Sequence, residues 1–563
     1  MILILISWMI LAFFFLTAGV FLQSILGIKK RVISITLFLG ICTQCFVLNI
    51  FSLFFKIGIE VFIVNLAVSF LLFYYQRKVI YQYWEETKLS FNSLSLFSKS
   101  TLVVLLLLSL LKCAQSPILT DNESYYIQTI KWINEYGFIK GLANLHIFFA
   151  QTSPFHVLQA GFNFNFISNR INDLNGFILI ISSFYYLTIF EKRMKEKKEI
   201  HWIGLIMLFN VLFLQFINSP SPDFILLVLS QIIFYLFLEE KNSDENFKII
   251  TLLILLLIFI KITIASFILI PLYLVVREKK GLLFFISAGT ITTLLFILKN
   301  SITSGYPFYP LNLFPLPVDW KIPETILAFI TEATNNTGYF ENLKLDQPSY
   351  LFKINSWLHL GGINRIFNWG ILLLFVLVLF TKKTQKQNNY KILYFILVIH
   401  FIIILSVSPQ FRFFLPEFIF LTALFISDFC ERLQISKKMI SYLLLYLSIL
   451  PIVAIEFVNF KYLTENKLHQ RKANLNWTQI FIPSENSSLS KIPFEKRKCR
   501  NMEYYSPKEN FFFWGTANGP LPCVNKVQLD YFEKYYHIIP QLRTSLLKDG
   551  FYSKRTVTKN HKN

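Results

Sequence analysis

Charge is scarce in this chain. Only 15% of its 563 residues are Asp, Glu, Lys or Arg, whereas 54% are hydrophobic and the mean hydropathy is +0.52. A soluble domain of this size has no use for so much apolar surface. Cysteine is also sparse, at 6 residues. Cys42, Cys45, Cys113 and Cys430 lie in or beside apolar runs and read as packing residues, and no His/Cys spacing suits a metal. No internal repeat is found, which counts against the transporters built from them. No basic residue precedes the first apolar stretch, Ile2 to Ile28, and it has no small-residue cleavage site, so it reads as a retained helix rather than a signal peptide. Acidic residues are the scarcer sign, 33 against 54 basic, for a net charge of +21. Nucleic acid is nevertheless excluded as the partner. Outside the tail, most of the basic residues sit in short clusters between apolar runs, as the positive-inside rule demands.

Apolar stretches of roughly 17–25 residues recur along the chain, the signature of a polytopic helical membrane protein. The runs are continuous rather than alternating, which disfavours a barrel. About fourteen spans are expected, near 2–27, 32–55, 57–76, 101–116, 171–190, 201–217, 224–238, 248–260, 262–276, 281–298, 364–381, 392–407, 413–428 and 439–458. Lys29-Lys30-Arg31, Arg77-Lys78, the run 192–198, Arg277 with Lys279-Lys280, Lys382-Lys383, and Arg432 with Lys437-Lys438 then fall on one side, assigned to the cytoplasm. The pair 248–260 and 262–276 is either two short tilted helices meeting at Lys261 or one re-entrant hairpin. Segments 117–168 and 299–363 and the tail 459–563 face outward. The expected division is 1–100 for additional N-terminal helices, 101–430 for a transmembrane core, 431–458 for a last helix and 459–563 for a small C-terminal extracytoplasmic domain. Cys499 and Cys523 fall in that tail, where an extracytoplasmic setting permits a disulfide.

Thr120-Asp121-Asn122-Glu123 opens a helix at a membrane mouth, where a carboxylate is costly unless solvated, paired or used. Ser124, Gln128, Lys131 and Glu135 form its polar face and Tyr126, Ile130 and Ile133 its apolar face, so the helix is expected to lie flat on the membrane. Thr120 with Glu123 has the form of a capping box, and Asp121 can itself be the N-cap; neither role excludes catalysis. His146 and His156 follow, as proton carriers, metal ligands or plain hydrogen-bonding histidines. Asp223, in Ser219-Pro220-Ser221-Pro222-Asp223, is either an N-cap or part of the same cavity. Tyr306-Pro307-Phe308-Tyr309-Pro310 and Pro315-Leu316-Pro317 make a stiff, aromatic outer surface that serves either sugar stacking or interfacial anchoring. Lys261 and Arg412, cations in apolar company, suit the phosphate of a lipid carrier.

The string DNESYYIQTIKWINEYGFIKGL, 121–142, resembles the opening of the first extracytoplasmic loop of GT-C membrane glycosyltransferases, such as protein O-mannosyltransferases and aminoarabinose transferases. SPSPD at 219–223, FIKIT at 259–263 and SPQFRFFLP at 408–416 are similar to features of bacterial members, over about 101–430. The acidic motif follows the fourth helix here rather than the first, and reads Asp-Asn-Glu rather than an adjacent acidic pair. The resemblance implies an all-α polytopic fold with extracytoplasmic surface helices. It implies transfer of a sugar from a polyprenyl-phosphate-linked donor to a glycan, lipid or protein acceptor. Asp121 is then the general base with Glu123 as its partner, Lys261 and Arg412 bind the donor phosphate, and His146, His156 and Asp223 line the cavity. A divalent metal ion is the one cofactor to consider. The expected place is the bacterial inner membrane, with the active site on the extracytoplasmic side. A lipid-linked glycan polymerase or ligase, and a lipid or solute transporter, are the competing readings.

Overall fold

The computed structural model describes residues 1–196, 199–241, 243–340, 348–457, 476–489, 491–508 and 511–556. The described residues are mostly helical and include no large sheet. Among the described residues nine helices are long and apolar enough to cross a membrane: Ile2–Leu26, Ile33–Ser52, Ile59–Ser93, Leu96–Cys113, Leu174–Glu196, Pro222–Glu239, Leu282–Ser304, Asn388–Val407 and Phe411–Arg432. A tenth results if Tyr350–Leu358 and Gly362–Val378, bent by 109°, count as one span. The other expected segments take shorter or different forms. Residues 201–217 break into short turns around Trp202–Leu205 and Asn210–Phe213, and 248–260 lies in the 17-residue helix Asp244–Ile260. The end of the stretch near 439–458 falls at the edge of the described residues.

Two sequence expectations change. The span near 57–76 belongs to a 35-residue helix, Ile59–Ser93. No glycine or proline interrupts 59–93, so Arg77-Lys78 does not end it. At 1.5 Å per residue it is about 52 Å long, well beyond a hydrocarbon core of about 30 Å. Its far half reaches the basic clusters, where Glu86 lies 3.6 Å from Arg31. Cys499 and Cys523 are both free, and no disulfide staples the tail. Cys499 sits opposite Met502 in a strand pair, while the Cys523 thiol donates to the Thr516 carbonyl at 3.4 Å. Cys42 and Cys45, at C-x-x-C spacing within Ile33–Ser52, are likewise free and buried.

The basic clusters meet at one end of the bundle. Lys30 pairs with Glu240 at 3.3 Å, and Glu245 accepts from the amides of Lys29 and Lys30. Arg193 and Lys383 converge on Glu239 at 3.1 and 3.5 Å, and Lys437 donates to the Met194 carbonyl at 2.8 Å. Both ends of the segment around Lys261 return to this same end. Lys248 donates to the Leu26 carbonyl, and Arg277 to Asn389, which itself donates to the Phe237 carbonyl. Both alternatives for 248–276 put its two ends on one side, and that is the arrangement found: Asp244–Ile260 goes in, Lys261 is extended, a 3-10 turn covers Ile262–Ile268, and Leu269–Glu278 comes out, so two short helices form a hairpin broken at Lys261.

At the opposite end, the C-terminal residues form a small α/β unit. Phe494–Cys499 pairs antiparallel with Met502–Pro507, Ile538–Leu542 with Phe551–Arg555, and the helix Lys526–Tyr536 lies between them in the chain. Its core is shared: Met502, Tyr504, Val524, Leu529, Leu542 and Phe551 pack with Trp132, Ile139, Leu142, Leu145 and Phe149 of the outer loop. Gly141 and Gly550, at φ 61° and 93°, permit the close approach of the two segments, because a Cβ at Gly141 would stand 2.3 Å from the Phe551 carbonyl oxygen and one at Gly550 would stand 2.0 Å from that of Lys140. The polar face of Ile127–Tyr136 is thereby explained. Gln128 donates to the carbonyls of Ala517 and Gly519, and Lys131 to those of Asn518 and Gly519. Most of that face meets the C-terminal unit, while Glu135 at its end stays exposed.

Candidate functional site

Four charged residues from four separate segments converge at the end of the bundle that carries the outer loops. Asp121 precedes a π-helical turn, Asn122–Tyr126, and makes no side-chain cap. Its Oδ2 instead accepts from Arg412 Nη1 at 2.7 Å, with the Tyr126 hydroxyl 3.5 Å away. A π turn places residues five apart on one face, which is why Asp121 and Tyr126 look the same way. Asp223 makes no cap either. Ser221 is the N-cap of Pro222–Glu239, and the Asp223 carboxylate bonds to Lys261 Nζ through Oδ1 and lies 3.7 Å from Arg412 Nη1 through Oδ2. Lys261 stands over the Phe413 ring at 4.2 Å and Arg412 over the same ring at 5.1 Å. Arg412 Nε donates to Gln410 Oε1 at 3.1 Å, and Gln410 donates to Ser408 Oγ, fixing the guanidinium from its own strand of chain.

The cluster is electrically balanced, two carboxylates against two cations, and graded in depth. Asp223 is 4% exposed, whereas Asp121 and Arg412 are 30% and 32% exposed. A ligand arriving from the open side therefore meets the Asp121–Arg412 pair first, and Asp223 holds both cations from beneath. Burial of this kind is favourable only when charges are paired and their remaining valences filled. A divalent metal does not suit these residues: both carboxylates are already neutralised by a cation, and among the described residues no three of His, Cys, Asp and Glu come together as ligands.

The other residues singled out from sequence are differently placed. Glu123 is fully buried and turned to the C-terminal unit, its carboxylate accepting from Ser487 Oγ at 2.7 Å, Ser488 N at 2.9 Å and Ser488 Oγ at 3.1 Å. Its carbonyl accepts from the amides of Thr516 and Ala517. Glu123→Leu leaves those serine donors without their acceptor and is expected to cost about 3 kcal/mol. Faster tryptic cutting within 491–556 is the measurement, with Asp121→Asn as the unaffected control.

His146 is also buried. Its Nδ1 accepts from the Phe148 amide at 3.3 Å, so Nε2 carries the hydrogen and donates to the Trp514 carbonyl at 3.2 Å. Burial pushes its pKa down to about 4, and the bond to Trp514 only partly opposes this. The His156 ring lies tilted, 4.8 Å from the Tyr126 ring, and burial, then the charge of Lys299, pushes its pKa down to about 3. Both rings are neutral near pH 7. For His146 the unfolded chain binds the extra proton first, so its contribution is complete above pH 6.5 and lost as the pH falls toward about 4, up to about 3 kcal/mol. The unfolding temperature is expected to fall less steeply between pH 6.5 and 4.5 in His146→Gln than in wild type.

Tyr126, read in sequence only as part of an apolar face, and Gln410 and Phe413, quoted only within SPQFRFFLP, were not assigned to the site. Only the five-residue spacing from Asp121 marked Tyr126, and that spacing matters only in a π turn. Apolar spanning helices with a paired charge cluster at one end define a multi-pass helical membrane protein. The family model described as a domain of unknown function (DUF8201) matches residues 1–420, and the chain belongs to that family. All four charged residues lie inside the matched region, while the C-terminal unit lies beyond it. No curated protein and no solved structure matches the chain.

Proposed function

We propose that the protein is a membrane-embedded glycosyltransferase that moves a sugar from a polyprenyl-phosphate donor to an acceptor hydroxyl. The observation that carries this reading is the convergence of Asp121, Asp223, Lys261 and Arg412, which combines a reachable carboxylate with two cations held at one membrane mouth. The acceptor oxygen attacks the anomeric carbon, the bond from that carbon to the phosphate oxygen breaks, and polyprenyl phosphate leaves. Asp121 takes the acceptor's proton, and Lys261 and Arg412 stabilise the charge on the leaving phosphate. A donor phosphate competes with Asp121 for the Arg412 guanidinium. Donor binding thereby frees the carboxylate for its role as base, and Asp223 keeps both cations in place. Glu123, gripped by Ser487 and Ser488, serves the frame rather than the reaction.

In this reading the basic end of the bundle is cytoplasmic, the charged cluster and the C-terminal unit are extracytoplasmic, and the membrane is a bacterial inner membrane. The donor enters sideways from the bilayer. The hairpin broken at Lys261 also fits a transporter, since transporters bind cargo at interrupted helices. A mass profile of surface glycans and glycolipids separates the two. A transferase leaves one glycan a sugar short in cells lacking the protein, with the polyprenyl-linked donor accumulating. A transporter leaves glycan masses unchanged.

A further inference from the structure

Beneath the charged cluster lies a second ionisable pair that the proposed reaction does not use. His400, on Asn388–Val407, and Glu417, on Phe411–Arg432, are 1% and 0% exposed. They bond to each other through His400 Nδ1 and Glu417 Oε1, and His400 Nε2 lies 3.1 Å from the Thr263 carbonyl. A carbonyl only accepts, so Nε2 carries a hydrogen. Nδ1 and the carboxyl then share a single proton, whichever atom holds it. Ionisable side chains inside a membrane helix bundle are costly and are retained where they do something.

Thr263 lies two residues beyond Lys261, in the 3-10 turn that follows the break in the hairpin. Irregular backbone at membrane depth is tolerated only where its polar groups are satisfied. Two side chains do so here, one on each side of the lysine: Ser153 Oγ donates to the Ile260 carbonyl at 2.9 Å, and His400 to that of Thr263. Phe267, from the same 3-10 turn, packs its ring 4.9 Å from the imidazole. Glu417 also stands on the helix that begins with Phe411, Arg412 and Phe413, little more than one turn below the guanidinium. Through His400, the helix that presents Arg412 is tied to the turn that presents Lys261.

We propose that His400 and Glu417 are positioning residues: a hydrogen-bonded clamp, Glu417 to His400 to the Thr263 carbonyl, that holds Lys261 against Asp223 and in register with Arg412. The role rests on Lys261 as a phosphate-binding cation, but the clamp itself is read without any transfer reaction.

The test is competitive acetylation of the full chain in lipid nanodiscs with trace acetic anhydride, scored by mass spectrometry as the rate at Lys261 relative to the exposed Lys88. His400→Leu and Glu417→Leu are expected to label Lys261 roughly fivefold faster than wild type, because the turn drifts and the Asp223 pair loosens. Glu417→Gln, whose amide donates to Nδ1 of a neutral imidazole and so keeps the chain of bonds, is expected to label at the wild-type rate. A wild-type rate in folded, monodisperse His400→Leu overturns the clamp, and Glu417→Leu decides by the same criterion should His400→Leu not fold. Equal acceleration in Glu417→Gln and Glu417→Leu also overturns it, because the carboxylate's charge and not the bond chain would then hold the turn. If glycan profiling disproves transfer, these labelling rates stand unaffected.

Discussion

Asp121→Asn is expected to abolish restoration of the glycan profile while leaving the protein folded in the membrane. The amide keeps the shape and still meets Arg412 and Tyr126, but it no longer takes a proton. Loss of a positioned general base lowers the rate by about 10²–10⁴-fold. The structural cost is small, because the Asp121–Arg412 pair is about a third exposed and such pairs contribute about 1 kcal/mol or less. Cells lacking the protein, complemented at equal expression with wild type or Asp121→Asn, give the comparison by glycan mass profiling. Wild type restores the missing sugar, and the variant accumulates polyprenyl-linked donor. Full restoration by Asp121→Asn would reduce the carboxylate to a structural counter-ion of Arg412 and remove it as base.

Asp223→Leu has the largest expected effect on stability. The carboxylate is 4% exposed and serves two cations, Lys261 directly and Arg412 at 3.7 Å. Removing one partner of a buried pair strands charge in low dielectric and costs about 3–5 kcal/mol. Arg412 keeps Asp121, so the stranded charge is that of Lys261. The double variant Asp223→Leu with Lys261→Leu is therefore expected to recover most of the loss, since two apolar side chains replace the pair. The measurement is thermal unfolding in nanodiscs of the two single variants and the double. Breaking the outer pair Asp319–Arg543 at 2.8 Å, where the carboxylate is half exposed, is the reference and is expected to cost about 1 kcal/mol or less. A loss that small for Asp223→Leu would mean that water reaches Lys261 freely, and the graded burial of the site would be wrong.

Composition and periodicity settled the class of this protein. Apolar runs of spanning length have one stable disposition in a chain this hydrophobic, and the short basic clusters between them mark one end of the bundle because lysine and arginine resist crossing. Asp121, Asp223, Lys261 and Arg412 were each visible in sequence for the same reason: charge beside apolar text is expensive and stands out. Their meeting was not visible. Asp121 and Arg412 are 291 residues apart, and Asp223 and Lys261 are 38 apart. Whether a carboxylate at a helix start caps its own amides or turns to a distant cation depends on which helices pack beside it. The polar stripe of Ser124, Gln128 and Lys131 was legible as a stripe, but water, a membrane surface and a protein partner satisfy such a face equally well. Only the folded C-terminal unit, with its carbonyls at 517–519, decided among them. The same holds for Glu123, drawn to Ser487 and Ser488, and for His400, whose partners come from two other elements. What the sequence determined by itself were properties carried by local free energy, namely helix, span and the cost of a charge. The tertiary structure decided the pairings, because a buried ion is satisfied by whichever group the packing brings within reach, and that choice is made between segments remote in the chain.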